Sequence, residues 1–381
     1  MLLSGLLLLF NALQDSGAED SFHRRALKLM KEAPLIDGHN DLALKLRRFY
    51  HSKLSKANLR TIDSTLTNIQ KLKAGHVGAQ VWTIHLSCGS QNKDAVHLTL
   101  EQIDIIKRMC KSYDELELVT SSQGIANSDK IASLMGIHGG HAIDSSLATL
   151  RMFYDLGVRY LTLTPFCNTP WAEAASPKYG NFYTDVHGLS DFGEEVVKEM
   201  NRLGMIIDLS HASEATARAV LRISKAPVIF SHSAAFSVCN HPKNIPDSIL
   251  QLLVGYLSFL THVCSLVPSC RPFCPLFSLL SDHFDHIQNT IGPEHLGIAG
   301  NYDGFNIHPV GLEDVSKYPV LIAELLKRGW SEEVLKDVLR ENFLRVFREV
   351  EKNKFSSLRG DWVWLLSPLV MVVGLQGWAI G

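Results

Sequence analysis

Short apolar runs alternate with amphipathic stretches from Leu35 almost to the end of the chain. The runs Leu35–His39, Val77–Leu86, Lys130–Ile137, Val158–Thr164, Met205–His211, Pro227–Ser233 and Leu296–Asn301 read as strands, being short and rich in β-formers. Between them, Asp94–Ser112, Ser145–Leu156, Asp191–Leu203, Ser213–Ile223 and Asp285–Ile291 carry helical spacing. Strand followed by helix, repeated, predicts parallel β-structure with crossover helices, as a closed (β/α)₈ barrel or an open doubly wound sheet. The polar residues favour the barrel. His39, His138, His211, His232 and Asn301 fall at the C-terminal ends of different strands, where a barrel assembles its site. An open sheet concentrates its ligand residues at one switch point, usually beside a glycine-rich turn, and no such turn follows the first run.

One strand of eight is missing from this pattern, and it belongs between Ser233 and Leu296. That interval holds Val254–Leu280, rich in Leu, Phe and Cys and interrupted by Pro268, Pro272 and Pro275, which argue against a membrane span. Gly255–Val263 is the candidate seventh strand, and the remainder reads as an irregular, disulfide-linked loop. His283 and His286 read as solvated helix positions. The charged stretch Ser331–Lys352 is expected to pack its Val and Leu face on the barrel.

With 46% hydrophobic and 20% charged residues, the 381-residue chain can bury a large core. A formal net charge of -2 provides no basic surface for nucleic acid, and the 17 histidines favour a metal. Residues 1–18 read as a signal peptide, from the apolar Leu2–Phe10 and the small residues Ser16-Gly17-Ala18. Residues 19–352 form the barrel, and 353–381 carry the apolar Trp362–Ile380, a glycolipid-anchor signal or a membrane-spanning tail. The expected location is the extracellular face of the plasma membrane, or the secreted space. Export makes the seven cysteines disulfide candidates, with an odd one left over, although the chain has no Asn-x-Ser/Thr sequon.

The run Leu35-Ile36-Asp37-Gly38-His39-Asn40-Asp41 places His39 and Asp41 on one side of a strand, where imidazole and carboxylate can share a metal. Two further runs end in Ser-His, at His211 and His232. Three histidines and a carboxylate from strands one, five and six suit zinc in a hydrolytic site.

The sequence strongly resembles the membrane dipeptidase (renal dipeptidase) family, zinc enzymes of the amidohydrolase-like barrel class, from about Phe22 to Val350 with breaks at Val254–Leu280. The motifs include Leu35-Ile36-Asp37-Gly38-His39-Asn40-Asp41-Leu42, Gly139-Gly140-His141, Cys167-Asn168-Thr169-Pro170-Trp171, Ile207-Asp208-Leu209-Ser210-His211 and Phe230-Ser231-His232-Ser233. The resemblance implies hydrolysis of dipeptides or related small amides at a two-zinc centre, in glycolipid-anchored, disulfide-linked dimers. It implies that His39 and Asp41 bind one zinc and His211 and His232 the other. It also implies a Cys88–Cys167 disulfide and a partner for Cys239 among Cys264, Cys270 and Cys274. The family cysteine that joins two subunits has no counterpart here, so a homodimer is expected without that bond.

Four positions depart from the family pattern. His138 stands where a glutamate bridges both zincs, and a neutral imidazole ordinarily offers one lone pair where a carboxylate offers two oxygens. The expectation is a weakened two-metal site, reduced to a single zinc. Asn301 replaces an aspartate and cannot take up a proton. Pro165 replaces a substrate-contacting histidine, and Lys243 replaces the arginine that grips the substrate carboxylate, keeping its charge without the bidentate fork. Loss of an oxyanion donor costs about 10²- to 10³-fold and loss of acid/base help about 10²- to 10⁴-fold. Against this, His138 can still hold one zinc, Asn301 can hydrogen-bond a water, and His141 can cover part of the loss at Pro165. Two readings follow: a zinc dipeptidase of weakened turnover, or a catalytically impaired cell-surface binding protein on the same barrel.

Overall fold

The computed structural model describes residues 21–177, 182–254, 259–263, 276–304 and 308–361. Its strands are β1 (Leu35–Asn40), β2 (Val77–His85), β3 (Leu116–Leu118), β4 (Ile131–His138), β5 (Val158–Thr162), β6 (Ile206–Asp208), β7 (Val228–Phe230), β8 (Phe259–Val263) and β9 (Leu296–Ala299). All pair in parallel. Eight of them close a ring in the order β1-β2-β4-β5-β6-β7-β8-β9, with β9 returning to β1. Helices lie between successive strands, which gives the expected (β/α)₈ architecture.

The ninth strand, β3, stands outside the ring. It pairs with Ile131–Ser133 at the start of β4, while β5 takes over that edge from Met135 onwards. Three residues carry too little pattern to be read from sequence. The missing barrel strand is β8, which lies between β7 and β9 and falls within the candidate run 255–263.

The helix expected at Asp285 begins at Leu276, inside the stretch read as irregular. Its spacing explains the difference: Leu280, Phe284, Ile287 and Ile291 share one buried face, but the neighbouring apolar residues obscure that period in the sequence. The same face carries His283 inward. Contrary to expectation, His283 is buried, and its Nδ1 accepts the Ala235 N–H at 3.2 Å. His286 is half-buried, with Nε2 2.9 Å from Asp247 Oδ1.

The last helix behaves as its charged-plus-apolar pattern requires. Phe343, Phe347 and Val350 pack against Ile36, Val81, Leu134, Ile206 and Ile229 from five ring strands. Asn342 Nδ2 donates to the carbonyl of Leu296, the first residue of β9, so this helix sits at the N-terminal end of the ring. Each large apolar side chain so buried contributes about 1.5–3 kcal/mol. The opposite end is left for chemistry.

Cys88 and Cys167, in the loops after β2 and β5, form a disulfide with Cα atoms 6.1 Å apart. Cys239 is also disulfide-bonded. Its candidate partners Cys264, Cys270 and Cys274 lie outside the described residues, as do residues 1–18 and the apolar tail 362–380. Cys110 is a free thiol, pushed up to about 11 by burial. Among the described residues, no helix is long and apolar enough to cross a membrane.

Candidate metal centre

The end of β1 is fixed from three directions. Buried Asp37 accepts hydrogen bonds from Tyr318 Oη at 2.6 Å and from the backbone N–H groups of His39 and Gly300, each at 3.1 Å, which ties β1 to β9. Burial raises its carboxyl to about 6. Tyr160 Oη lies 3.0 Å from His39 Nδ1 and donates to the Gly38 carbonyl at 3.3 Å. With its proton so engaged, the hydroxyl accepts from His39 Nδ1–H, and His39 Nε2 keeps its lone pair. Nε2 has no hydrogen-bond partner. Gly136 makes room for Tyr160, since a Cβ there would lie 2.3 Å from the ring.

A second chain of hydrogen bonds orients the β6 and β7 histidines. Asp208, the last residue of β6, accepts the backbone N–H groups of Ser210 at 3.0 Å and Ser231 at 2.8 Å, together with the hydroxyls of Thr162 and Ser231. Because Ser231 gives its proton to Asp208, it accepts from His232 Nδ1–H at 2.8 Å. His232 Nε2 is thereby left as a donor atom for a metal. It faces His211 Nε2 at 2.7 Å, and His211 reaches that position from a left-handed backbone with φ 65°.

His138 ends β4 in the middle of this group. It is 2% exposed, and neither ring nitrogen has a hydrogen-bond partner. Its ring centre lies 5.0 Å from that of His39, 4.7 Å from His232, 5.4 Å from His211 and 4.5 Å from His85. Buried polar atoms normally find partners, so the unpartnered His39 Nε2 and His138 nitrogens, converging with His232, mark a place for an ion. Burial above all depresses the basicity of His39, His138, His211 and His232, which keeps their lone pairs available at neutral pH.

The structure therefore brings the five expected ligands to one end of the barrel but groups them differently, and His211, 2.7 Å from His232 through its Nε2, falls in neither three-donor group. His39, His138 and His232 can face one ion, while Asp41 and His138 face another together with His85, which the sequence reading missed. The missed signal was the usual one, a histidine at the C-terminal end of a predicted strand. Asp41 is buried, and burial pushes its carboxyl up, but His85, His39 and Thr83 outweigh that and hold it low. Imidazole nitrogen with one carboxylate is a donor set that fits zinc.

The four departures surround these groups. Asn301, 1% exposed with φ 49°, has both side-chain polar atoms without partners. Its Oδ1 and Asp41 Oδ2 crowd Gly304, where a Cβ would lie 2.6 and 2.3 Å from them, so both face one small space. Buried Pro165 packs on Gly139 and offers no donor. His141 packs on the same glycine, and burial lowers its ring to about 4. Lys243 is half-buried and lines a cavity of about 400 Å³ with Leu209, Ala212, Phe230 and Asn240. Desolvation brings its amine down to about 8, and its charge reaches His211, His39 and His232.

Comparison with known proteins gives the same picture. The sequence model for membrane dipeptidase (peptidase family M19) matches residues 23–358. Dipeptidase 3 of Mus musculus is 54% identical over 342 residues, covering 90% of this chain and 69% of that protein. Dipeptidase 3 of Homo sapiens is 56% identical over 329 residues, covering 86% and 67%. The fold is shared with a crystallised M19 metallopeptidase, dipeptidase AC, at TM-score 0.77 and 22% identity over 83% of this chain and 98% of that one. It is also shared with a metallopeptidase from Rhodobacter sphaeroides, crystallised with a phosphinate mimic of the dipeptide L-Ala-D-Ala, at TM-score 0.74 and 21% identity over 83% and 99%. A closed parallel barrel, a histidine-rich centre at its C-terminal mouth and this span of similarity lead to one conclusion: the chain belongs to the membrane dipeptidase family.

Proposed function

We propose that this chain is a zinc-dependent dipeptide hydrolase whose turnover is weakened by its own site residues. The observation that carries the reading is the convergence of His39, His138 and His232, with no hydrogen-bond partner at His39 Nε2 or at either His138 nitrogen. Zinc, when bound, supplies Lewis-acid polarisation of a carbonyl and activation of water near neutral pH. His39, His138 and His232 hold it. Lys243 attracts the substrate's terminal carboxylate as a point charge, without the two-pronged grip that fixes orientation. Asn301 can offer a hydrogen bond to a bound water or substrate but accepts no proton, and Pro165 gives no donor to a developing oxyanion.

The test is zinc content and dipeptide hydrolysis on the purified chain, before and after chelation and after zinc is restored. The expected result is one tightly held zinc and slow hydrolysis that chelation abolishes and zinc returns. Two tightly held zincs with turnover at an ordinary enzymatic rate, about 1–10³ s⁻¹, defeat the weakened reading. Zinc bound without turnover, even after the catalytic positions are restored, leaves a binding barrel instead.

We also propose attachment to the outer face of the plasma membrane through the apolar tail 362–380, in a homodimer without a disulfide between subunits. Release of the protein from intact cells by a phospholipase that cuts glycolipid anchors is expected; resistance favours a spanning segment or a secreted form.

A further inference from the structure

We infer that His85 is a metal ligand, completing with Asp41 and His138 a second, three-donor position beside the His39–His138–His232 group. The inference rests on the metal reading above and extends it to a residue outside the family pattern. β2 and β4 are in register with His85 directly opposite His138, so both imidazoles leave the same face of adjacent strands at the barrel mouth. Thr83, two residues earlier and therefore on that face, bonds Asp41 through its hydroxyl.

The backbone that carries His85 is fixed. Gln102, buried on the helix Ala95–Ser112, accepts the His85 backbone N–H at 3.2 Å and donates to its backbone carbonyl at 3.0 Å. His85 Nδ1 lies 3.0 Å from Asp41 Oδ2. Two ligands on one tetrahedral zinc stand about 3.3 Å apart, given metal bonds of about 2.0–2.1 Å, so the pair needs only a small opening to share an ion. The third donor, His138, is 2% exposed and brings two nitrogens with no present partner. Imidazole thus takes the place in this position that a bridging carboxylate holds in the family pattern. A neutral imidazole has one lone pair, so His138 can serve both positions at once only after giving up its ring proton to solvent as an imidazolate. With the first position filled and that proton retained, His85 and Asp41 alone would hold the second ion, which makes the second position the weaker of the two.

A merely structural His85 would hydrogen-bond Asp41 and nothing more. Titration with Co²⁺ alone, followed by its visible absorption and by calorimetry, separates the cases in the full chain without any substrate. The wild type is expected to take up a tight equivalent and a weaker one. His85→Phe and His85→Gln are each expected to weaken the second by at least tenfold with the first equivalent intact, the melting temperature staying near wild type in His85→Gln and falling in His85→Phe, where buried Asp41 loses its partner. Glutamine retains a hydrogen bond to Asp41 but no donor nitrogen. His85→Asp, which restores a donor, is expected to recover binding. His232→Ala is expected to lose the first equivalent and keep the one that depends on His85.

Wild-type affinity in His85→Gln overturns the inference, as does an absorption spectrum unchanged by every His85 substitution. If the wild type binds a single equivalent, the inference stands only where His85→Gln weakens it. Uptake by neither position defeats the zinc reading as well, whereas loss confined to the second position leaves that reading in place.

Discussion

The double substitution His138→Glu with Asn301→Asp is expected to raise kcat/KM for dipeptides by about 10²-fold or more at saturating zinc, the lower end of what acid/base assistance contributes. The geometry gives both changes room. Glutamate is smaller than histidine, and position 138 already stands at the centre of both donor groups, where two carboxylate oxygens can serve two ions at once. Asparagine and aspartate are isosteric, and the Asn301 amide now makes no hydrogen bond that the change would break. The carboxylate introduced at position 301 faces Asp41 across Gly304 and lies near buried Asp303, so the metal-free variant carries extra like charge. Zinc relieves that repulsion, and the gain should therefore appear with zinc and be absent under chelation. Each single substitution is expected to recover much less than the pair, since bridge and proton acceptor act on the same reacting centre. The measurement is kcat/KM against zinc concentration for all four proteins. A double variant that binds two zincs yet hydrolyses no faster than wild type would place the defect elsewhere, at Pro165 or Lys243.

The sequence carried the barrel because its strands are buried, parallel and separated by helices of ordinary length. It carried His39, Asp41, His211 and His232 because each stands at the end of such a strand. Their partition did not follow from it. That partition depends on β2 skipping β3 to pair with β4, which sets His85 opposite His138 and divides the donors into two groups. Local pattern holds no record of such a crossover, and β3 is too short to announce itself. Polar residues that work indirectly were also invisible as such. Asp208 sits in Met205-Ile206-Ile207-Asp208-Leu209, a run read for its apolar residues, and Gln102 is one polar position on an amphipathic helix. Only the fold brings Asp208 under Ser231 and Gln102 against His85. His283 failed for the opposite reason, since a histidine on a helix is ordinarily solvated and only the neighbouring Leu280, Phe284 and Ile287 turn this one inward.

Asp208→Ala is expected to lower the stability of the metal-free protein by about 3–5 kcal/mol, the range for breaking a buried, hydrogen-bonded charged network. Four donors lose their acceptor at once, namely the N–H groups of Ser210 and Ser231 and the hydroxyls of Thr162 and Ser231. Chemical denaturation with zinc removed measures this loss directly. Asp208→Asn separates the structural role from the chemical one. Its Oδ1 can still accept the two backbone N–H groups, so stability is expected to fall by only about 1 kcal/mol, the value of one ordinary hydrogen bond. Its Nδ2, however, donates where the carboxylate accepted. Ser231 must then turn its proton towards His232 Nδ1, which moves the imidazole proton to Nε2, the atom that faces the metal position. Zinc affinity is therefore expected to fall by about 10- to 100-fold in Asp208→Asn, as it does when the outer partner of a metal-binding histidine is lost, although the fold is nearly intact. Ser231→Ala, which removes the hydroxyl that fixes the tautomer but leaves Asp208 in place, is expected to weaken zinc less than Asp208→Asn, because its imidazole remains free to adopt either form. Zinc affinity equal to wild type in Asp208→Asn would show that the relay from Asp208 through Ser231 does not set the state of His232, whatever the variant does to stability.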